Sequence, residues 1–338
     1  MTRTTPPRPL DIEAEFPELA SYRKTCTRLH PRRGTPEPCQ SSIGGPFLWP
    51  ADEPWPACRA AHPRDTGRRI EDIHRERRVL DEAWRRNLET GPTDEERDVL
   101  AELQREHHVP GLQDTDPVPL LPLVQLFAKN VPDLVAPKGR DVLQVLWCPF
   151  SAHGRQATPD VHLRWCKATE CTPLFNPPSP ELVGDAWYVP EPCTLAPEQV
   201  VEHEYVELLS ESLQGRIKEW EEGNEEEAGV EAASRGEFLT YGEDFSIAPG
   251  WKVGGYASWD VTGPHPVTCS CGAPMELLLA IGSMEWGGTR SWVPLEDREL
   301  IGRRGANTPT RVRVGRGGSL NVFICPADPA HEHKVSLQ

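Results

Sequence analysis

Short apolar or alternating runs, each closed by proline or glycine, recur along the chain: "PLVQLFA", "DVLQVLWCP" and "TRVRVGRGGSLNVFICP". Such runs predict β-strands. "GRGG" at 315–318 joins two of them. It therefore reads as a hairpin turn and not as a phosphate-cradling loop, which should lead into a helix. A helical period appears at 67–108, where Ile70, Ile73, Leu80, Trp84 and Leu88 share one face. Gly91-Pro92 breaks it, and Thr93 with Glu96 forms a capping box that opens a second helix through Val99, Leu100 and Leu103. The arginines of this hairpin have acidic neighbours, so exposed intrahelical pairs explain them. His107 and His108 fall where a cation suits a helix C-terminus. A third helix over 211–222 carries Leu213, Ile217 and Trp220 inward. Beyond it "EEGNEEEAGVEAASRGE" lacks periodicity and reads as a mobile acidic loop.

The pattern repeats. In "SSIGGPFLWPADEPWPAC", Gly44-Gly45 precedes Trp49 by the same step that separates Gly254-Gly255 from Trp259 in "WKVGGYASWDVTGPHPVTC". A proline-rich linker then reaches Cys58 or Cys269. An apolar strand follows in each half, "PLLPLVQLF" or "PMELLLAIG". Last, "LQVLWCPFSAH" matches "LNVFICPADPAH". Three matches in one order predict a duplicated unit, with the helical hairpin inserted in the first copy. The expected fold is α+β and predominantly β: a tandem duplication of a small antiparallel β-rich unit. Its expected parts are an N-terminal extension (1–40), a first repeat (41–195), an acidic helix and loop (196–245) and a second repeat (246–338).

Charge and composition narrow the function. The net charge is −16, and 198–244 alone contributes −12. A nucleic-acid partner is disfavoured, since phosphate binding needs clustered Lys and Arg. No run of 18 apolar residues suggests a membrane span, and no apolar leader precedes the fold, so a cytoplasmic protein is expected. Ten cysteines in a chain of 338 residues fit reduced thiols better than a disulfide framework.

The motifs "FPELASYRKTCTRLHPRRGTP", "SSIGGPFLWPADEPWP", "PLLPLVQLFA", "LQVLWCPF", "YVPEPCTLAPEQV", "APGWKVGGY", "CGAPMELLLAI" and "FICPADPAH" together resemble the actinobacterial branch of the YwqG-like family. That family looks distantly related to the programmed-cell-death-2 and Tsr-type chaperones of a ribosomal protein. The resemblance implies a duplicated β-rich fold and an expectation of protein binding. It supplies no catalytic residues.

"TCSCGAPM" resembles half a zinc knuckle, and "CPADPAHEH" offers the other half. Cys269, Cys271, Cys325 and one histidine, His331 or His333, would make a Cys3His site for zinc, although one residue between the first two thiols is short of the usual spacing. Buried thiols acting as small hydrophobes are the alternative. The first-half counterparts Cys58, Cys148 and His153 lack a second cysteine, so one complete site at most is expected. His203, among glutamates, is expected at the surface. No nucleophile elbow, Walker loop or H-E-x-x-H occurs. Trp49, Trp55, Trp251, Trp259, Trp286 and Trp292 lie in or beside the Gly44-Gly45 and Gly254-Gly255 turns. They either cover the ends of two lobes or line a groove that anchors a partner. The resulting expectation is a non-enzymatic binding module whose acidic face attracts a basic client or a toxin. A metal-assisted hydrolase using the Cys/His cluster is the alternative, and an inert scaffold a third.

Overall fold

Strands with alternating side chains can bury one face against a second sheet and have the other covered by loops. The computed structural model, which describes residues 2–63, 67–151, 153, 158–234 and 237–338, is built in this way. Its strands begin with β1 (Arg23–Arg28), β2 (Arg32–Arg33), β3 (Ser42–Ile43), β4 (Phe47–Trp49) and β5 (Ala57–Cys58). Then come β6 (Val118–Pro119), β7 (Leu121–Phe127), β8 (Val142–Trp147), β9 (Val161–Cys166), β10 (Thr172–Leu174) and β11 (Cys193–Thr194). The last are β12 (Glu198–His203), β13 (Lys252–Gly254), β14 (Glu276–Gly282), β15 (Ser319–Ile324) and β16 (Lys334–Leu337). The α-helices are α1 (Ile12–Glu15), α2 (Ile70–Arg86), α3 (Asp94–Leu103), α4 (Glu211–Ser234) and α5 (Tyr241–Asp244). The fold mixes helix and sheet, and antiparallel sheets dominate it.

Two six-stranded sheets run in the orders β2-β11-β3-β7-β8-β9 and β12-β1-β13-β14-β15-β16. Thus β3, β7, β8 and β9 hold in the first sheet the places of β13 to β16 in the second. Registers agree as well. Ile43 pairs with Val124 as Val253 pairs with Leu279. The ladders β7–β8 and β14–β15 slip at the same point, between Pro122 and Val124 and between Leu277 and Leu279. Beyond the slip, Gln125 faces Gln144 and Ala280 faces Asn321. The amide of Gln144 donates to the Leu48 carbonyl, and that of Asn321 to the Ser258 carbonyl at 3.0 Å. Each acceptor immediately precedes a tryptophan, Trp49 or Trp259. Gly44 and Gly254 both have positive φ, 63° and 72°, a conformation that suits glycine.

Sheet membership does not follow chain order. β1, near the N-terminus, lies between β12 and β13 and so belongs to the sheet that ends the chain. The two sheets share one core: Val124, Val145 and Trp147 of the first cluster with Leu279, Ile281 and Val322 of the second. Their outer faces are covered separately. Phe47, Trp49, Cys58, Leu120, Leu146 and Cys148 cover one, and Ala257, Trp259, Cys269, Met275, Phe323 and Cys325 the other. We call these halves the first and second lobes.

Several local expectations are corrected. Residues 311–314 do not form the first arm of a hairpin. Val312 and Val314 are buried in the shared core, and the amides of Arg313 and Val314 bond to the Trp187 carbonyl and Ser283 Oγ instead of to a strand. α4 continues to Ser234, with a break at Gly229, through most of the stretch expected to be a loop; Arg235 and Gly236 of that stretch lie outside the described residues. Glutamate and alanine favour a helix even without an apolar stripe, and Asn224 and Glu221 tie α4 to Leu239 and Tyr241. Leu213 and Ile217 pack on Phe16, Leu19 and Phe245.

The capping box of Thr93 and Glu96 opens α3. α2, however, ends at Arg86, leaving Leu88 exposed. Of the hairpin's arginines, Arg97 pairs with Asp94 within α3 as expected, whereas Arg77 and Arg86 of α2 reach beyond their own helix. Buried Arg77 donates to Glu191 and to the carbonyls of Ala186 and Val189, and Asp81 accepts from Arg33 and Arg311. His107 lies past the end of α3, where its Nε2 is 2.8 Å from Asp72. His203 is buried between the Phe245 carbonyl and Glu13, because β12 lies under the N-terminal segment.

Candidate metal centres and an aromatic-lined cavity

Both metal candidates lie where a strand end meets a turn. In the second lobe, Cys325 follows β15, and the turn 269–272 is closed by an amide bond from Gly272 to the Cys269 carbonyl. Positive φ at Gly272 permits this turn and brings both of its thiols to Cys325. Cys271 Sγ lies 3.6 Å from Cys325 Sγ, and Cys269 Sγ lies 3.5 Å from His331 Nδ1. All four ligand atoms fall within 4.8 Å of one another, so the single-residue spacing is no obstacle. His331 is the histidine of the set; His333 turns away, its Nε2 2.9 Å from the Val161 carbonyl. The amide of Cys271 is the main influence that holds the Cys269 thiol down, at about 6. His331 lowers Cys325 and is itself raised by it, as expected of a thiolate beside an imidazolium.

The first lobe contains a second complete set, which corrects the expectation of one site. Cys58, Cys148 and His153 occupy the places of Cys269, Cys325 and His331, and His62 supplies the fourth ligand atom. His62 Nε2 is 3.3 Å from Cys58 Sγ and 3.3 Å from Cys148 Sγ, and His153 Nε2 is 3.9 Å from Cys58 Sγ. The His62 ring stacks on Phe150, with centroids 4.5 Å apart. Burial pushes the Cys148 thiol well up, while the Phe150 amide opposes the rise. The two clusters therefore differ in ligand type and exposure: Cys271 is exposed, whereas His62 is buried. A search for a second cysteine could not find this set, because a histidine four residues beyond Cys58 fills that role.

The tryptophans do not line one common groove. Trp49 and Trp259 are buried over the outer sheet faces, and Trp55 lies against Trp49 with centroids 4.6 Å apart. Trp251 belongs to the core between the sheets. Only Trp286 and Trp292 of the named six line a cavity of about 410 Å³ in the second lobe. Met284, half exposed, shares its wall with the main chain of Gly282 and Gly318, while Glu243 and Asp260 add acidic groups. Trp292 is fixed by a bond from its Nε1 to the Glu243 carbonyl and by Arg8 over its ring, 3.3 Å from the centroid. Gly44 and Gly45 pack against Pro190 and Pro36, and Gly255 against the Glu202 carboxylate. Their role at these positions is close approach of main chain. Gly254 meets Asp133.

Among the described residues no helix is long and apolar enough to cross a membrane. No protein-family model matches the chain, and no curated protein sequence matches it.

Proposed function

We propose that the chain is a non-enzymatic, cytoplasmic protein-binding module of the YwqG type, made of two copies of one β-rich unit. The α2–α3 pair is an insertion in the first copy. Coinciding strand order, register and slip position support the duplication. The partner is a basic, partly apolar segment of another protein, either a chaperone client or a toxin, seated in the cavity beside Trp286 and Trp292. Membrane and nucleic acid are not its targets.

The observation that carries this reading is the cavity: a rigid aromatic floor, an exposed methionine and an acidic rim. Fixed aromatic rings lose little entropy on binding, and Met adapts to varied apolar side chains. The acidic α4 is tied to the wall of the cavity through Tyr241 and Phe245, which adds long-range attraction for a cationic chain. The Cys269/Cys271/Cys325/His331 set fits zinc. Four protein ligands close the tetrahedron and leave no position for a reacting water, so the ion would hold the fold and not act as a hydrolase centre.

A panel of extended Lys/Arg- and Leu/Phe-containing peptides, titrated by fluorescence anisotropy at low and high salt, tests the proposal. Binding should weaken with salt and fall at least tenfold in Met284→Arg, which fills the cavity mouth with a charge of the ligand's own sign. No binding by any member, or equal binding by the variant, overturns it.

A further inference from the structure

The first-lobe cluster shows more than a chance meeting of buried thiols. Tetrahedral zinc, with bonds of about 2.3 Å to sulfur and 2.0–2.1 Å to nitrogen, sets its ligand atoms about 3.3–3.8 Å apart, and a sulfur about 3.6 Å from a nitrogen. The distances of 3.3, 3.3 and 3.9 Å around His62, Cys58, Cys148 and His153 cluster about that value. Hydrogen bonding alone explains the arrangement poorly. Two sulfurs converge on one ring nitrogen, which has either one proton or one lone pair to offer. A shared cation satisfies both sulfurs at once.

We propose that the first lobe holds its own zinc ion in a neutral, buried Cys2His2 site that locks the base of the α2–α3 excursion. Binding exchanges the two thiol protons, released to solvent, for one divalent ion. Two thiolates and two neutral imidazoles then leave no net charge. Neutrality suits a site in which Cys58, His62 and Cys148 are all buried, since an unbalanced charge there would be costly. The second-lobe set carries one thiolate more and has an exposed cysteine, so its net negative charge faces water.

The position gives the ion a structural role. Cys58 ends β5, whose partner β6 is the strand on which the chain returns after both helices. The His62 amide donates to the Asp114 carbonyl at 3.0 Å, which joins the outgoing and returning chains a second time. Cys148 and His153 come from the end of β8 and the turn beyond it. One ion therefore ties the exit, the return and the central sheet together.

Cobalt(II) titration of the metal-free full chain tests this, using Cys271→Ser/His331→Ala to disable the second-lobe set at its two more accessible ligands. That variant should retain one equivalent with tetrahedral d–d bands. Its sulfur-to-cobalt charge-transfer band should be about two-thirds as intense as that of Cys148→Ser, two thiolates against three. Adding His62→Ala should abolish the remaining equivalent. Absence of tetrahedral cobalt in the first variant, or its persistence after His62→Ala, overturns the proposal. If the double variant does not fold, His62→Ala alone decides: uptake should fall by one equivalent from wild type, and unchanged uptake overturns it. Failure of peptide binding would leave these outcomes untouched, so the two readings fail separately.

Discussion

The two lobes share strand order and register but fill the interior of their sheets differently. At three matched positions the first sheet has Ser42, Gln125 and Gln144, and the second has Lys252, Ala280 and Asn321, all buried. In the first, the three residues are themselves neutral and the two glutamines bond to each other: Gln125 Oε1 accepts from the Leu48 amide and from Gln144, whose own Oε1 accepts from the Arg164 guanidinium. The second is ionic. Lys252 Nζ lies 2.7 and 2.8 Å from the Glu202 carboxylate, with both side chains out of water. A sheet geometry therefore fixes which positions are buried and leaves open whether amides or ions satisfy them.

The largest effect should come from breaking that ion pair. In Lys252→Met, Glu202 would retain the amides of Ala248 and Tyr256 but lose its cation. An uncompensated buried charge should cost about 3–5 kcal/mol in urea unfolding, and Lys252→Met/Glu202→Gln should recover most of it. Ser42→Ala, at the matched place in the first lobe, should cost less than about 1 kcal/mol. Equal losses at both positions would show that the lobes do not differ in this respect.

A second contrast is in pH dependence. Glu285 is fully buried beside Trp251, and burial raises its carboxyl to about 7. Between its ordinary value of 4.5 and 7 the folded state keeps a proton that the unfolded chain has released, so its contribution to stability falls as the pH rises through that window. His30, lowered by burial to about 4, acts oppositely: stability is lost as the pH falls from 6.5 toward 4. In Glu285→Gln the loss between pH 5 and pH 8 should shrink by about 2–3 kcal/mol, read from urea midpoints at both values. An unchanged difference would mean that Glu285 is not held protonated.

These contrasts mark how far the residues spoke for themselves. The strands were legible because alternation and proline boundaries report burial on one face, as in "LQVLWCP". The Cys3His set was legible because its thiols crowd two short motifs. The first-lobe set was not, since His62 stands where the second lobe has Cys271. Nor was the pair Lys252–Glu202, whose members sit on strands separated in the sheet by β1 and in the chain by α4. Arg77 escaped notice for a related reason: a cation on an amphipathic helix reads as solvent-facing until its carbonyl partners are known. Alternation reports which positions are inside, whereas pairing between distant segments decides what charge may stay there.

The finest test of the likeness lies in the paired glycines. Gly44 and Gly254 have matched φ angles, and an added Cβ would meet Pro190 and Asp133 side chains at the same 3.1 Å. A left-handed conformation costs a non-glycine residue about 1–2 kcal/mol, and so tight a contact adds somewhat to it. Gly44→Ala and Gly254→Ala should therefore each lower stability by about 1–2 kcal/mol, with the difference between them under about 0.5 kcal/mol. Thermal and urea unfolding of both variants measure this directly. A loss at one glycine with none at the other would separate the two turns energetically, and with them the argument that both lobes descend from one unit.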